Sequence, residues 1–157
     1  MRKYEALDSI DRKILREIQQ NGRISFIDLA GKVGLSKSPC LKRLRALEKE
    51  RFIKGYRAEL DADKISRGYL VYVQVKLSRT NREALQAFNS AVQDIKEIMC
   101  CDMMSGGYDY LLKVRTRNMH TYREFLGDVI SVLPGIDQTS SFPVMEQVKE
   151  ISHLVVE

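Results

Sequence analysis

Residues 25–45, SFIDLAGKVGLSKSPCLKRLR, contain two helix starts separated by the short turn GLS. Ser25, with Asp28 three residues later, is a capping pair that predicts the first start. Ser36 predicts the second start, and Pro39 falls in its first turn, where a missing N–H costs no hydrogen bond. Two short helices joined by a three-residue turn containing glycine predict a helix-turn-helix, whose second helix enters the DNA major groove.

The second helix carries its basic side chains on one flank. Ser38, Lys42 and Arg45 recur at i, i+4 and i+7, which at about 100° per residue places them together. Leu44 and Leu47 fall on a different flank, so the pattern favours a nucleic-acid contact; an ordinary amphipathic surface helix is the alternative. The residues predicted for the major groove are Lys37, Ser38, Lys42 and Arg45, those predicted for phosphates are Arg43 and Ser25, and Ser36 and Pro39 complete the predicted DNA-binding set.

Charge divides the chain in a similar way. Through Ile65 there are 16 basic and 10 acidic residues, whereas from Ser66 onward there are 10 and 11. Lys and Arg bind nucleic acid by neutralising its phosphates, so the excess in the first part indicates double-stranded DNA as its partner. Solubility of the whole chain does not require such an asymmetry.

Composition limits the class of protein. The 157 residues suit one or two small domains. No run reaches the roughly 18–20 apolar residues of a membrane span, and the polar start is not typical of a signal peptide. Three cysteines without metal-ligand spacing predict a reduced, cytoplasmic protein with no metal and no cofactor. A redox sensor at the adjacent Cys100 and Cys101 is the alternative.

Residues 1–60 are predicted to form the DNA-binding domain. Its first helix runs from about Asp8 to Asn21-Gly22, a helix C-terminal signal, and the helix-turn-helix follows. Residues 52–60 are predicted as a short β segment, either a wing or a strand that pairs with a partner chain. Residues 61–68 are polar with alternating charge and are the predicted linker.

Residues 69–157 are predicted to form a second domain with the order βαββαβ. Strands are expected at 69–77, 95–104, 108–116 and 136–148. One helix is expected to open at Thr80 through a capping box with Glu83, and the other at Asn118. This is the ferredoxin-like order, in which one antiparallel sheet carries both helices on one face, so the predicted fold class is α+β.

Both faces of the first strand carry apolar side chains. Val71 and Val73 point to one side, while Leu70 and Tyr72 point to the other. Helices on one side cannot bury both faces, and an exposed apolar face is an interaction site. We therefore expect at least a dimer formed by sheet-to-sheet packing, which would present two helix-turn-helix units to two DNA half-sites.

Six short segments, in this order, carry a resemblance to known proteins. They are LDSIDRKIL at 7–15, NGRIS at 21–25, VGLS at 33–36, PCLKRL at 39–44, SGGYDYLL at 105–112 and LPGI at 133–136. The chain resembles the leucine-responsive regulatory protein family (Lrp/AsnC, the feast/famine regulators) over essentially its whole length. The resemblance implies an N-terminal winged helix-turn-helix and a C-terminal amino-acid-sensing domain of the ferredoxin-like type. It also implies dimers that assemble further, often as a tetramer of dimers, and that wrap or bend DNA.

The resemblance also implies an effector site. Effectors in this family are usually amino acids bound at interfaces between sensing domains. The residues that correspond to that site are Met103, Gly106, Tyr108, Asp109, Met119, Thr139, Ser140 and Ser141. Gly107 departs from the family, where an acidic residue is common, and the local charge is reduced accordingly.

The loop at these positions has suitable chemistry of its own. Gly106-Gly107 lets backbone N–H groups approach a small anion such as an α-carboxylate. Asp109 supplies a carboxylate for an α-ammonium group, and Thr139, Ser140 and Ser141 add hydroxyl groups. A plain β-hairpin turn, for which Gly-Gly is a common choice, is the alternative.

The sequence thus predicts a transcription regulator whose oligomerisation and operator binding respond to an amino acid. A medium apolar effector such as leucine or methionine is preferred, because Met103, Met104 and Phe142 offer apolar lining. The alternative is an architectural DNA-wrapping protein whose C-terminal domain only oligomerises. An enzyme is not predicted, since no nucleophile–base pair, phosphate loop or pair of catalytic carboxylates stands out.

Overall fold

The structure, a computed structural model, describes residues 4–150 and 153–157. The chain packs as two units: unit 1 comprises residues up to Glu59 together with those from Lys149 onward, and unit 2 spans Leu60–Val148. This division differs from the predicted one at both ends. The predicted linker 61–68 packs with unit 2, and the segment from Lys149 packs with unit 1 instead of with the C-terminal domain.

Unit 1 is built on three helices, preceded by a 3-10 turn at Tyr4–Ala6. They are α1 (Ser9–Gln20), α2 (Phe26–Val33) and α3 (Lys37–Lys49). The Ser25 cap forms as predicted, since Ser25 accepts a hydrogen bond from the Asp28 N–H. Helix α1 is capped in the same way by Asp8, which accepts from the Asp11 N–H. Gly34 ends α2 in the left-handed region, with φ 74°, which confirms the turn between α2 and α3.

The core of unit 1 lies where the three helices meet. Ile14 of α1, Leu29 of α2 and Leu47 of α3 are fully buried. Cys40 is also buried in this core, and burial raises the pKa of its thiol. Helix α3 therefore has one side fixed against α1 and α2, which leaves its other side for a ligand.

The β segment predicted at 52–60 does not form: no strand is present among residues 4–68. This prediction is wrong for the single chain, in which no neighbouring strand supplies backbone partners for the segment. It is held to α3 instead: the Phe52 and Ile53 N–H groups donate to the Leu47 carbonyl, and the Tyr56 hydroxyl donates to a Glu48 carboxylate oxygen at 2.8 Å. Burial and this carboxylate raise the pKa of Tyr56 to about 12.

Unit 2 has the predicted order βαββαβ. Its elements are β1 (Tyr69–Leu77), α4 (Arg82–Ala91), β2 (Ile98–Met103), β3 (Tyr110–Thr116), α5 (Met119–Asp128) and β4 (Ile136–Pro143). The sheet order is β2-β3-β1-β4 and all neighbours are antiparallel, which is the ferredoxin-like arrangement. Helix α4 is capped by Asn81 and not by the predicted Thr80, while Asn118 caps α5 as predicted.

The two faces of the sheet have different surroundings. Val71, Val73 and Val75 are fully buried against Phe88 of α4 and the aromatic side chains of α5. We call the opposite side the open face; among the residues that point to it are Tyr72, Gln74, Lys76, Leu111, Lys113, Ser140 and Phe142. No helix among residues 4–150 and 153–157 is long and apolar enough to cross a bilayer.

Candidate DNA-binding surface and effector cleft

The outward side of α3 is an exposed polar surface. Its exposed members are Lys37, Ser38, Pro39, Lys42 and Arg45, which we call the basic face. Within residues 4–150 and 153–157, no salt bridge involves a cation of this face. Cations held on a fixed helix and not neutralised by neighbours are available for phosphates and for the acceptor atoms of bases.

The two predicted serine contacts differ in their surroundings. Ser36 occupies the N-cap of α3, and within the described part of the chain its exposed hydroxyl makes no capping hydrogen bond. Its hydroxyl and the first N–H groups of α3 therefore form a suitable site for a phosphate. The Ser25 hydroxyl is occupied: it accepts from the Asp28 N–H at 3.1 Å and donates to the Asp28 carboxylate at 2.6 Å.

Arg43 lies on the inward side of the basic face and is already paired. Its Nη1 donates to Asp8 Oδ2 at 2.6 Å and to Asp11 Oδ1 at 2.9 Å. Hydrogen bonds to the two carboxylates raise the pKa of Arg43, and a backbone hydrogen bond from Asp11 followed by the guanidinium lowers the pKa of Asp8. The predicted phosphate contact of Arg43 stays a prediction, and its geometry gives it a second role in joining α3 to α1.

On the open face of unit 2 there is a cleft of about 140 Å³. Its lining residues are Gln74, Lys76, Gly107, Tyr108, Gln138 and Ser140. Of the predicted effector residues, the structure brings Tyr108 and Ser140 together here. Sequence reasoning missed the contributions of Gln74, Lys76 and Gln138, which follow from alternation along β1 and β4 once the register of the two strands is known.

Asp109 has a structural partner beside this cleft. Its Oδ2 accepts a hydrogen bond from the Leu77 N–H at 2.7 Å, at the point where the β1–β4 register shifts. Its backbone N–H donates to Val75 O and its carbonyl accepts from the Met104 N–H, so the loop is fixed at both sides. In the described residues Oδ1 makes no hydrogen bond, which leaves one carboxylate oxygen for an ammonium group.

The hydroxyl cluster predicted at 139–141 is divided between the two sheet faces. Ser140 lies opposite Gln74 and points to the open face, whereas Thr139 and Ser141 lie opposite Val75 and Val73 on the helix side. The Ser141 hydroxyl is hydrogen-bonded to the hydroxyl of Tyr122 in α5. The three hydroxyls therefore do not line one site within a single chain.

The other predicted effector residues lie near the hairpin or at the start of α5. Gly106 occupies the turn with φ 154°, which a side chain rarely adopts. Met103 at the end of β2 is 56% exposed, and Met119 at the first position of α5 is 69% exposed. Neither methionine lines the cleft of the single chain, although both offer apolar surface to another molecule.

The two exposed or partly exposed cysteines have chemistry unsuited to a reactive thiolate. A hydrogen bond from the Cys100 thiol to Asp102 raises the pKa of Cys100, and burial raises the pKa of Cys101 to about 11. Among the described residues, no group of three or more His, Cys, Asp or Glu side chains is placed to hold a metal ion.

Comparison with known proteins assigns both units. Residues 7–54 match the family model described as winged helix-turn-helix DNA-binding, and residues 70–154 match the one described as the Lrp/AsnC ligand binding domain. The chain is 46% identical to the leucine-responsive regulatory protein of Klebsiella pneumoniae, and 45% identical to that of Escherichia coli K12. Each match covers 96% of this chain and 92% of the relative. The chain belongs to the Lrp/AsnC family.

Solved structures agree with this assignment. A transcriptional regulator from Neisseria meningitidis, crystallised as a complex with L-Met, superposes with a TM-score of 0.91 at 31% identity, covering 96% of this chain and 97% of that one. An AsnC family transcriptional regulator from Agrobacterium tumefaciens superposes with a TM-score of 0.90 at 34% identity, covering 95% and 97%. As a member of the Lrp/AsnC family, the chain is a transcription regulator with a DNA-binding and an amino-acid ligand-binding domain, and not an enzyme.

Proposed function

We propose that the chain regulates transcription in the cytoplasm as a dimer or a tetramer of dimers, whose binding to an operator changes when an apolar amino acid occupies the open-face cleft. The proposed DNA contacts are Ser36 and the basic face, with Ser25 at the start of α2 and Arg43 as further phosphate contacts. The observation that carries the effector proposal is the cleft itself, because it joins the hairpin loop to β4 in a domain that matches an amino-acid ligand-binding family.

The chemistry of the cleft suits the two charged groups of an amino acid. The Lys76 ammonium is exposed at the lining and offers a charge-assisted hydrogen bond to an α-carboxylate. Asp109 Oδ1, at the neighbouring loop, can accept a charge-assisted hydrogen bond from an α-ammonium group. For the side chain, Phe142 supplies exposed apolar surface on the open face, whereas Met103 pairs with Tyr110 and points to the helix side of the sheet. The relative from Neisseria meningitidis is a complex with L-Met. Methionine and leucine are therefore the first candidates.

The size of the cleft supports a site shared between copies. About 140 Å³ is well below the roughly 300–1,000 Å³ of ordinary small-molecule sites, so one chain offers only part of a ligand pocket. A second copy packed near the open face would enlarge and cover it, and would bury apolar side chains such as Tyr72 and Phe142. Amino-acid binding and assembly would then be linked, because each would favour the other.

The effector proposal predicts a thermal shift that depends on the charge of Asp109. Methionine or leucine at about 100 times its Kd should stabilise the unaltered chain by about 2.7 kcal/mol, whereas charged amino acids should not. Asp109→Asn keeps an oxygen that can accept from the Leu77 N–H but removes the charge, so the shift should be lost while folding is retained. Differential scanning fluorimetry with twenty amino acids measures this.

Asp109→Ala provides the matched comparison. It removes both the charge and the acceptor for Leu77, so it should lower the unfolding temperature even without an amino acid. An unchanged methionine or leucine shift in Asp109→Asn would contradict the role of this carboxylate. No shift of the unaltered chain with any amino acid would favour the architectural DNA-wrapping alternative.

The assembly proposal predicts a mass of at least two chains. Sedimentation velocity at micromolar concentration should give a dimer or an eight-chain species, and added methionine or leucine should change their ratio. Phe142→Glu places a carboxylate at a half-exposed position of the open face and should shift the mass toward one chain. A single-chain mass for the unaltered protein at every concentration tested would contradict the proposal.

A further inference from the structure

Residues 153–157 lie along α1 as an extended segment, which we call the strap. The strap runs antiparallel to the helix: Leu154 lies beside Gln19, and Glu157 lies beside Arg12. One side chain of the strap, Val156, packs against the apolar core of unit 1. The neighbouring Leu154 and Val155 are 78% and 87% exposed, so Val156 is the strap residue whose side chain contacts the core.

Side chains of α1 hold the main chain of the strap. The side-chain amide of Gln19 makes two hydrogen bonds with the main chain of Leu154. Its Nε2 donates to the Leu154 carbonyl at 3.0 Å, and its Oε1 accepts from the Leu154 N–H at 2.8 Å. Arg16 Nη1 donates to the Val156 carbonyl, and Arg12 Nη1 donates to the Glu157 carbonyl, both at 3.2 Å. These side chains follow the spacing i, i+4 and i+7, so one flank of α1 forms a continuous docking site.

The strap follows the point at which the chain returns from unit 2 to unit 1. The chain leaves unit 1 after Glu59 and returns to it at Lys149. The segment before the return is held to the sheet by two hydrogen bonds, from the Val144 N–H to the Leu70 carbonyl and from Arg115 Nη2 to Gln147 Oε1.

The docking site of the strap is continuous with the support of the basic face. Helix α1 carries the strap on one flank, and its N-terminal Asp8 and Asp11 hold Arg43 of α3. Arg12 belongs to both regions, since its Nε donates to the Leu7 carbonyl beside Asp8 and its Nη1 binds the strap. Loss of the strap would therefore loosen the helix that positions α3.

We propose that residues 153–157 act as a strap that docks on α1 of the same chain, and that undocking it loosens unit 1 and weakens binding to DNA. The occupant of the α1 docking site is thus residues 153–157 of the same chain. The docking depends on the backbone of the strap and on one partly buried side chain, Val156. Exchange of the segment with a second copy is the competing arrangement, and it is distinguished below.

The test compares Val156→Lys with Val155→Lys in the full chain. Both variants add the same charge. A lysine at the exposed position 155 stays in solvent, whereas a lysine at position 156 replaces a side chain that packs against the apolar core. The lysine at 156 is also repelled by the nearby Arg12 and Arg16. Val156→Lys should speed amide exchange of residues 153–157 and of α1 at least tenfold. It should lower the unfolding temperature of unit 1 by roughly 4–8 °C, and should weaken binding about five- to tenfold to a duplex selected from a random-sequence pool with the unaltered chain.

Val155→Lys should leave all three quantities within about twofold or 1 °C of the unaltered chain. Equal effects of the two variants would overturn the proposal, as would undocking measured by amide exchange with no loss of DNA affinity.

Cross-linking decides between docking in one chain and exchange between copies. In a Cys100→Ser, Cys101→Ser background, Gln19→Cys with Leu154→Cys and a short bis-maleimide should give a product that has the mass of one denatured chain; a product of twice that mass would overturn docking within the chain.

Discussion

Replacing Arg45 with alanine is expected to weaken binding to a selected operator roughly 10- to 100-fold, and binding to random-sequence DNA by much less. Arg45 is exposed at the C-terminal end of the basic face, on a helix whose opposite side is fixed by Leu44 and Leu47 in the core. A guanidinium that contacts a base through two hydrogen bonds contributes roughly 1–3 kcal/mol of discrimination, and about 1.4 kcal/mol corresponds to tenfold in affinity. Fluorescence anisotropy with both duplexes at one salt concentration measures the difference.

The control for Arg45→Ala is Arg123→Ala, which removes the same charge from an exposed position of α5 in unit 2. This control should bind the selected duplex within about twofold of the unaltered chain. If Arg45→Ala lowers the affinity for both duplexes by the same factor, the residue neutralises phosphate and does not contact bases. In that case the slope of log affinity against log salt should fall by about one for each binding unit.

Replacing Arg43 with alanine is expected to destabilise unit 1 by roughly 2 kcal/mol, because it leaves Asp11 buried without its guanidinium partner. Asp11 is only 2% exposed, whereas Arg43 is partly exposed, so most of the cost arises on the carboxylate side. Chemical denaturation followed by circular dichroism at 222 nm, which reports mainly on helices, measures the change. Affinity for DNA should fall in parallel, since α3 loses its ion-pair link to α1.

A second substitution separates the structural role of Arg43 from a phosphate contact. Asp11→Asn removes the buried charge, so the double variant with Arg43→Ala should regain a substantial part of the lost stability. If stability recovers while DNA affinity does not, Arg43 also contacts phosphate, as the sequence predicts. If the single variant unfolds at the same denaturant concentration as the unaltered chain, the ion pair does not hold α3 in place.

Elements that carry local signals were predictable from the sequence. The strand at 69–77 has its predicted bounds because β-branched and aromatic side chains alternate there, and alternation by itself defines a half-buried strand. Helices α1, α2 and α5 begin where Asp8, Ser25 and Asn118 supply cap oxygens. Cap and periodicity signals lie within a few residues, so they do not depend on the rest of the fold.

Features that depend on distant partners were not predictable in this way. The segment 52–60 has strand-like composition but no neighbouring strand in the single chain, and so it forms no strand. The division of residues 139–141 between two faces depends on the register against β1, and the docking of residues 153–157 depends on side chains more than 130 positions earlier. Asp109 has the chemistry of a ligand residue, but its bond to the Leu77 N–H could be predicted only if the register shift between β1 and β4 were known.

Different side chains of α3 hold the helix in place and face the solvent. Arg43 joins α3 to α1 by pairing with Asp8 and Asp11. Positions 38, 42 and 45 of α3 face outward and take no part in these ion pairs. Related chains could therefore acquire new target sequences by exchanging those three residues at little cost in folding. After gene duplication, one copy of such a regulator would need only a few substitutions to bind a different promoter.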